Sequence, residues 1–285
     1  MLSALLLALL LPGCSTVRLA YSNAPELSYW WLDSYLDLGE VQSFKVRADL
    51  ATLHTWHRAS ELPAYVDTLD KLQRMGAANL HPEQVCDLYG ELKTRYRALL
   101  EQLELPLVAL APTLKPEQLD HLARQFDKRN RKWRAQWLDR SPAERGELHL
   151  RQFVERAEML YGRLEEPQLV LLRVSLAASG FDADLNQRET LRRQQDALQT
   201  LRSLQGGVQD ALQARVAVRA LLARSLDSPD PAHRSYVDKL ALANCRALAA
   251  LHNGATPAQR LKALETVRGY TADAQALLAP RPGGA

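Results

Sequence analysis

The sequence predicts an all-α fold, a multi-helix bundle of about ten antiparallel helices. Leu, Ala, Arg, Gln and Glu, which are good helix formers, dominate the composition. Apolar residues recur at intervals of three and four rather than two, as they do along one face of a helix, and Leu191, Leu198 and Leu201 are an example. Short connections between the predicted helices favour antiparallel neighbours.

Prolines and capping residues mark where the helices are predicted to begin. Ser141-Pro142-Ala143-Glu144 and Thr256-Pro257-Ala258-Gln259 each combine a hydroxyl cap, a proline at the first helical position and an acid or amide at the third. His81-Pro82 and Lys115-Pro116 begin looser versions of this pattern. The resulting helices are predicted near residues 24–38, 41–58, 62–78, 82–104, 116–139, 142–164, 167–178, 182–205, 208–226, 231–252 and 257–278.

The first residues resemble the export signal of a bacterial lipoprotein. The apolar run 2–11 is shorter than the roughly 20 residues that span a bilayer, and small Gly13 precedes Cys14. We expect cleavage after residue 13 and acyl chains such as palmitate on Cys14, which together give stable anchoring. Ser15, in place of Asp, favours the outer membrane, so the periplasmic face of that membrane is the expected location.

The remaining chain is expected to form one helical periplasmic domain over residues 14–279, followed by a disordered tail at 280–285. Pro106 and Pro112 interrupt the connection predicted at 105–115. The net charge of +3 is slight, which argues against a nucleic-acid partner. No phosphate-binding loop, nucleophile elbow or zinc-protease helix occurs in the sequence, so we expect a protein that is not an enzyme and takes no cofactor.

Cys86 and Cys245 are the two cysteines besides Cys14. In an oxidising exported compartment two remaining thiols can pair, and a disulfide is favoured over two separate buried thiols. Such a bridge closes a loop for which the chain-entropy model gives roughly 4–5 kcal/mol of stabilisation.

A basic stretch and a histidine pair are the candidate binding residues. The stretch is a possible anion-binding site, for phosphate groups of lipopolysaccharide for example, or simply the solvated face of a helix whose other side is buried. His54 and His57 lie one helical turn apart, but a metal site needs three or four ligands, so hydrogen bonding is favoured and no metal is expected. The basic residues are Arg124, Lys128, Arg129, Arg131, Lys132 and Arg134.

Aromatic residues are concentrated near the N-terminus, where Trp30, Trp31 and Tyr35 fall on one predicted helix. Tryptophan and tyrosine favour membrane–water interfaces, but basic residues are nearly absent from 19–44, unlike segments that bind anionic lipid. Large aromatic side chains are mostly buried in proteins, so we expect these three to pack into the bundle.

Several segments of the chain carry a resemblance to a known family. They are the aromatic opening at 17–24 and 29–37, Trp56-His57-Arg58 with 61–65, and, near the C-terminus, Asn244-Cys245, 251–253 and Thr256-Pro257-Ala258-Gln259-Arg260 with Leu264 and Tyr270. Together they resemble an uncharacterised family of proteobacterial lipoproteins, a domain of unknown function. The resemblance spans most of the mature chain. It implies a lipid-anchored helical envelope protein and transfers no catalytic residues.

A second similarity concerns a short repeat. Leu80-x-x-x-Gln84, Leu114-x-x-x-Gln118 and Leu164-x-x-x-Gln168 are similar to the Leu-Thr-x-x-Gln signature of small helical periplasmic stress chaperones, although threonine is absent from all three copies. The expected function is therefore binding or scaffolding of an envelope protein partner. The alternatives are chaperone-like binding of unfolded clients and an enzyme acting on envelope polymers.

Overall fold

The computed structural model describes residues 14–207 and 210–279, without the side chains of Cys14 and Ser15, and this part of the chain is an all-α bundle, as predicted. The predicted signal peptide at 1–13 and the tail at 280–285 lie outside the described residues. The helices are α1 (Cys14–Ser22), α2 (Ala24–Leu36), α3 (Glu40–Trp56), α4 (Leu62–Met75), α5 (Pro82–Gln102), α6 (Glu104–Leu110), α7 (Pro116–Trp133), α8 (Pro142–Tyr161), α9 (Glu166–Ala177), α10 (Ala183–Leu204), α11 (Ala211–Leu226), α12 (Pro231–Asn253) and α13 (Pro257–Leu278). A π-helical turn, His57–Glu61, joins α3 to α4, and another, Arg134–Leu138, extends α7.

The predicted helix starts are confirmed where a proline follows a capping residue. The Glu144 carboxylate accepts the Ser141 backbone N–H at 2.8 Å, and Gln259 Oε1 accepts the Thr256 backbone N–H at 3.0 Å. These bonds satisfy donors that the first helical turn leaves without partners. The prolines that begin helices are Pro82, Pro116, Pro142, Pro231 and Pro257.

The prediction of an irregular connection at 105–115 is wrong over its first half, where α6 forms. Pro106 lies in the first turn of α6, where a missing N–H costs no intrahelical hydrogen bond. Leu107 N donates to the Leu103 carbonyl at 3.0 Å, so the helical path continues past the proline. Pro112 falls in a short 3₁₀ turn, Ala111–Thr113, that ends the segment.

The largest apolar core lies between α8, α9, α12 and α13. Leu172 is fully buried there, and Leu251 is 1 % exposed. At the edge of this core the Tyr161 hydroxyl and His252 Nδ1 are hydrogen-bonded at 2.9 Å, and His252 Nε2 lies 2.9 Å from the Ala78 carbonyl oxygen. The C-terminal helices therefore complete a core that the middle of the chain begins. The buried members are Leu150, Ala157, Tyr161, Leu164, Leu172, Leu176, Leu251 and Ala263.

Two pairs of glutamines tie helix starts to one another. Gln168 Nε2 donates to Gln259 Oε1 at 2.7 Å and to the Gly254 carbonyl at 3.2 Å, while Gln259 Nε2 donates to the Arg163 carbonyl at 2.8 Å. Each glutamine side chain thus donates a hydrogen bond to a backbone carbonyl in the segment just before the other glutamine's helix. The pair joins the starts of α9 and α13 in a buried environment.

The second pair, Gln42 and Gln118, repeats the arrangement at the starts of α3 and α7. Gln118 Nε2 donates to Gln42 Oε1 at 2.9 Å and to the carbonyls of Leu36 and Asp37 at 3.0 and 2.8 Å. Gln42 Nε2 donates to the Thr113 carbonyl at 2.8 Å. Two of the three Leu-x-x-x-Gln segments therefore have a structural explanation in these junctions.

A disulfide joins Cys86 of α5 to Cys245 of α12, the pairing that the sequence favoured, with Cα atoms 5.5 Å apart. The same two helices are linked at one end by Asn253, whose side chain exchanges hydrogen bonds with the backbone of Leu80 at 2.7 and 2.9 Å. The C-terminal part of α12 is thus fixed at two points against the start of α5.

Candidate functional site

Cys14 begins α1, and its side chain lies outside the described part of the structure, so acylation stays a prediction. Across residues 14–207 and 210–279, no helix combines the length and the apolar character needed to cross a membrane.

The basic residues proposed for anion binding lie on α7 and its π-helical extension, and all six are exposed. Arg134 is ion-paired with Asp139 at 3.3 Å. The cavity between α7 and α10 is lined instead by other α7 residues, among them Phe126, Asp127 and Asn130. Asn130 bonds Gln194 of α10 at 2.7 Å, on the packed side of the helix. The six cations form a solvated face, and their binding of an anion stays a prediction.

The histidine pair takes part in an aromatic cluster between α1 and the α3–α4 junction. His57 Nδ1 lies 2.9 Å from the Tyr21 hydroxyl, and the His57 ring stacks on Tyr65 with centroids 5.7 Å apart. The His54 ring centroid is 4.8 Å from that of Tyr21. Burial lowers the pKa of His57, which favours its neutral form. The part of the chain that the structure describes holds no cluster of three His, Cys, Asp or Glu residues suited to a metal ion.

The prediction that the N-terminal tryptophans pack into the bundle is wrong. Trp30 is 59 % exposed and Trp31 is 56 % exposed, whereas Tyr35 is half-buried against Phe126 of α7. Helix α2 turns Tyr29 toward α3, and the two following residues are rotated roughly 100° and 200° away from that side. The tendency of tryptophan to be buried is overridden because α2 packs on α3 and α7 through other side chains, among them Tyr29 and Tyr35, and leaves both tryptophans largely in solvent.

A groove with a cavity of about 750 Å³ lies between the α5–α6 junction and α11. α11 begins after Asp210, whose side chain accepts the Gln213 backbone N–H at 2.8 Å. Spacings of three and four place arginines and apolar residues together on the groove side of α11. The lining residues are Arg97, Leu100, Glu101, Gln102, Glu104, Leu105, Arg215, Arg219, Leu222, Ala223, Arg224, Leu226 and Asp227.

A buried carboxylate, Glu104, organises the arginines of the groove. Arg219 donates to both of its oxygens at 2.8 and 2.9 Å, and Arg215 donates to Oε1. These hydrogen bonds, that from Arg219 first, hold the pKa of Glu104 at about 2. At the far end Asp227 is paired with Lys93 at 2.8 Å and Arg97 at 3.1 Å, which lowers its pKa. The guanidinium groups are therefore held at fixed positions.

Exposed apolar side chains border these arginines. Leu105 of α6 projects from the groove, and on α11 Leu212 is 72 % exposed and Val216 is 61 % exposed. Four arginines and three carboxylates line the groove, and one of the arginines, Arg224, is paired with Asp196 outside the lining at 2.7 Å. The arrangement suits a ligand that is apolar on one side and acidic on the other, because Arg215 and Arg219 keep N–H donors that Glu104 does not use and that can bond a second carboxylate.

Replacing Glu104 by glutamine is expected to lower the free energy of unfolding at pH 7 by about 1–2 kcal/mol, less than the pKa shift alone implies because both arginines face solvent. The folded-state pKa lies below the unfolded one, so this stabilisation is present above about pH 4.5 and is lost as the pH falls toward 2. Urea unfolding at pH 7, 4 and 2.5 measures it. Glu101→Gln, at an exposed acid in the same groove, is the control. A difference from the wild type that is independent of pH would contradict the assignment.

Sequence comparison places the chain in a family. The model of a family of unknown function (DUF6279) matches residues 34–223, more than half of the chain. No curated protein sequence and no solved structure matches the chain. The match covers the glutamine junction at Gln42 and Gln118 and most of the groove, and it agrees with the resemblance to an uncharacterised family. The chain belongs to DUF6279, a family whose function is unknown.

Proposed function

We propose that this protein is a lipid-anchored binding protein on the periplasmic face of the outer membrane. It holds an amphipathic, acidic segment of an envelope protein partner in the groove between α5–α6 and α11. The lipoprotein-like signal and Cys14 support the location. The protein acts by binding, not as an enzyme, and takes no cofactor.

One observation carries the proposal, namely the exposed apolar residues beside the fixed arginines of α11. Leu105, Leu212 and Val216 leave apolar surface in water, and such patches mark interaction sites when polar groups surround them. Arg215 and Arg219 are held by Glu104 on one side and face solvent on the other. A segment with aliphatic side chains flanked by carboxylates matches both features, since it buries the leucines and meets the arginines with opposite charge.

Site-specific photocrosslinking in intact cells tests the proposal. A photoreactive amino acid at Val216 is expected to give one dominant protein adduct, and the same group at Val174, an exposed valine of α9, is expected to give none. The Val216 adduct is expected to weaken with Arg219→Gln, and to be lost with Cys14→Ser, which removes the proposed anchor. Equal labelling from both positions would contradict the proposal.

A second candidate is chaperone-like binding of unfolded clients, favoured by the same exposed aliphatic side chains. Such a groove binds many sequences, because apolar contact alone carries little sequence information. The crosslinking experiment separates the two functions. Many adducts from Val216 that increase under envelope stress indicate the chaperone, whereas one adduct that is insensitive to stress indicates a dedicated partner.

A further inference from the structure

A second exposed apolar surface lies on α2 and α3, which precede the groove residues in the sequence. Its members are Leu27, Trp30, Trp31, Val41 and Phe44, and Phe44 is 79 % exposed. We call these five residues the aromatic face. Tryptophan and phenylalanine side chains are mostly buried in proteins, and a contiguous exposed apolar patch marks an interaction site.

The two helices hold these side chains at neighbouring levels. On α2, Leu27, Trp30 and Trp31 follow the spacing i, i+3, i+4 and share one side of the helix. The Tyr29 hydroxyl donates to Ser43 Oγ at 3.0 Å, which places Trp30 and Phe44 beside the same contact.

The lysine and the arginine of α3, Lys45 and Arg47, are already paired, whereas the acids Asp37 and Glu40 at the connection between α2 and α3 are exposed. Arg47 is ion-paired with Glu26 and lies 3.5 Å over the Tyr29 ring. On α1, Arg18 is paired with Asp273 of α13 at 3.1 Å. The surface near the aromatic face therefore offers apolar and aromatic groups but little net positive charge, which suits zwitterionic rather than anionic lipid headgroups.

The aromatic face follows directly on the proposed anchor. Only Asn23 separates α1 from α2, so Trp30 lies about 24 Å along the helical path from Cys14. An acyl chain inserted at Cys14 would hold the start of α1 at the bilayer, and the aromatic face lies within this distance of it. Tryptophan side chains favour the membrane interface, because an apolar ring carries a polar N–H at its edge.

We infer that the aromatic face docks on the phospholipid surface beside Cys14, with Trp30, Trp31 and Phe44 inserted at headgroup level. The orientation rests on the proposed lipid anchor. This contact fixes how the body of the protein stands on the membrane, which a single flexible attachment point does not.

The test couples the mature protein to vesicles through Cys14, which is the one cysteine outside the disulfide. A maleimide lipid in vesicles of phosphatidylethanolamine and phosphatidylcholine supplies the anchor, whatever modification Cys14 carries in the cell. Brominated lipids are expected to quench the tryptophan fluorescence of the wild type. The variant Trp30→Phe/Trp31→Phe is expected to lose this quenching, whereas Trp133→Phe is expected to retain it. Absent quenching, or equal quenching in both variants, overturns the inference.

Affinity without an anchor gives an independent measurement. In co-sedimentation with the same vesicles, Cys14→Ser protein is expected to bind at least about tenfold more tightly than the same protein carrying Trp30→Ser, Trp31→Ser and Phe44→Ser. A control with Val170→Ser and Val174→Ser, exposed valines of α9, is expected to bind like the parent. If the triple variant binds equally well, the inference is overturned.

Two further results keep the hypotheses apart. Sedimentation velocity without vesicles tests whether a second copy of the chain binds the aromatic face. A dimer that is present in the parent and lost in the triple variant would overturn the lipid assignment. Loss of palmitate labelling in Cys14→Ser cells reports on the anchor alone. Unchanged labelling would contradict the proposed anchor while leaving the vesicle results in force.

Discussion

Removal of the Cys86–Cys245 disulfide is expected to lower the free energy of unfolding by about 4–5 kcal/mol. The bond links residues 159 positions apart, so it greatly restricts the unfolded chain, and a 100-residue loop already gives about 4.7 kcal/mol in the chain-entropy model. Cys245 is buried in α12, so an alanine replacement avoids burying a new hydroxyl group. The loss is large beside the 5–15 kcal/mol that stabilises a typical domain.

Urea unfolding of Cys86→Ala/Cys245→Ala, compared with the wild type under oxidising and reducing conditions, measures the effect. Cys14→Ser is the matched control and is expected to unfold like the wild type. The double variant is expected to be insensitive to reductant. A loss below about 1 kcal/mol would contradict this prediction. It would indicate that residual structure already restricts the unfolded chain when the bond is absent.

Gln168→Leu is expected to lower the free energy of unfolding by about 3 kcal/mol. The leucine leaves the Gly254 carbonyl, the Glu165 N–H and the Gln259 amide without the partners that Gln168 supplies at 2.7 to 3.2 Å. Gln259 is buried, so water replaces these bonds poorly, and each unsatisfied polar group costs about 1–3 kcal/mol.

Gln84→Leu is the control for this prediction. Gln84 occupies the same position of its helix, but within the described part of the structure it accepts only the His81 N–H, at 2.8 Å in an exposed position, so about 1 kcal/mol is expected. The variant Gln168→Leu/Gln259→Leu is expected to lose less than the sum of its single changes, because the second replacement removes groups that the first left unpaired. Equal losses at Gln84 and Gln168 would contradict the importance of the pairing.

The sequence predicted those parts of the fold that depend on neighbouring residues. Pro142 and Pro257 begin helices because the cap, the proline and the third-position side chain act within one turn. The sequence also marked Gln118 and Gln168 as a recurring feature. Their partners could not be predicted, because Gln42 and Gln259 lie 76 and 91 positions away.

The groove and the aromatic face were missed for different reasons. Glu104 meets Arg215 and Arg219 across 111 and 115 positions, and each of these residues alone resembles an ordinary surface charge. The concentration of aromatic residues around Trp30 was visible in the sequence. Its exposure depends on which sides of α2 find a neighbour, and residue burial statistics do not contain that information.

The last two helices, α12 and α13, lie outside the segment that matches the family model, but the chain needs them in order to fold. Residues 34–223 match the family model, yet Leu251 and Ala263 fill the largest core, and Cys245 and Gln259 complete links that begin inside the match. A fragment cut at the edges of the match would expose that core to water and leave Gln168 without its counterpart. The smallest autonomous unit therefore reaches into α13, and for this chain a boundary drawn from sequence similarity is not a boundary of stability.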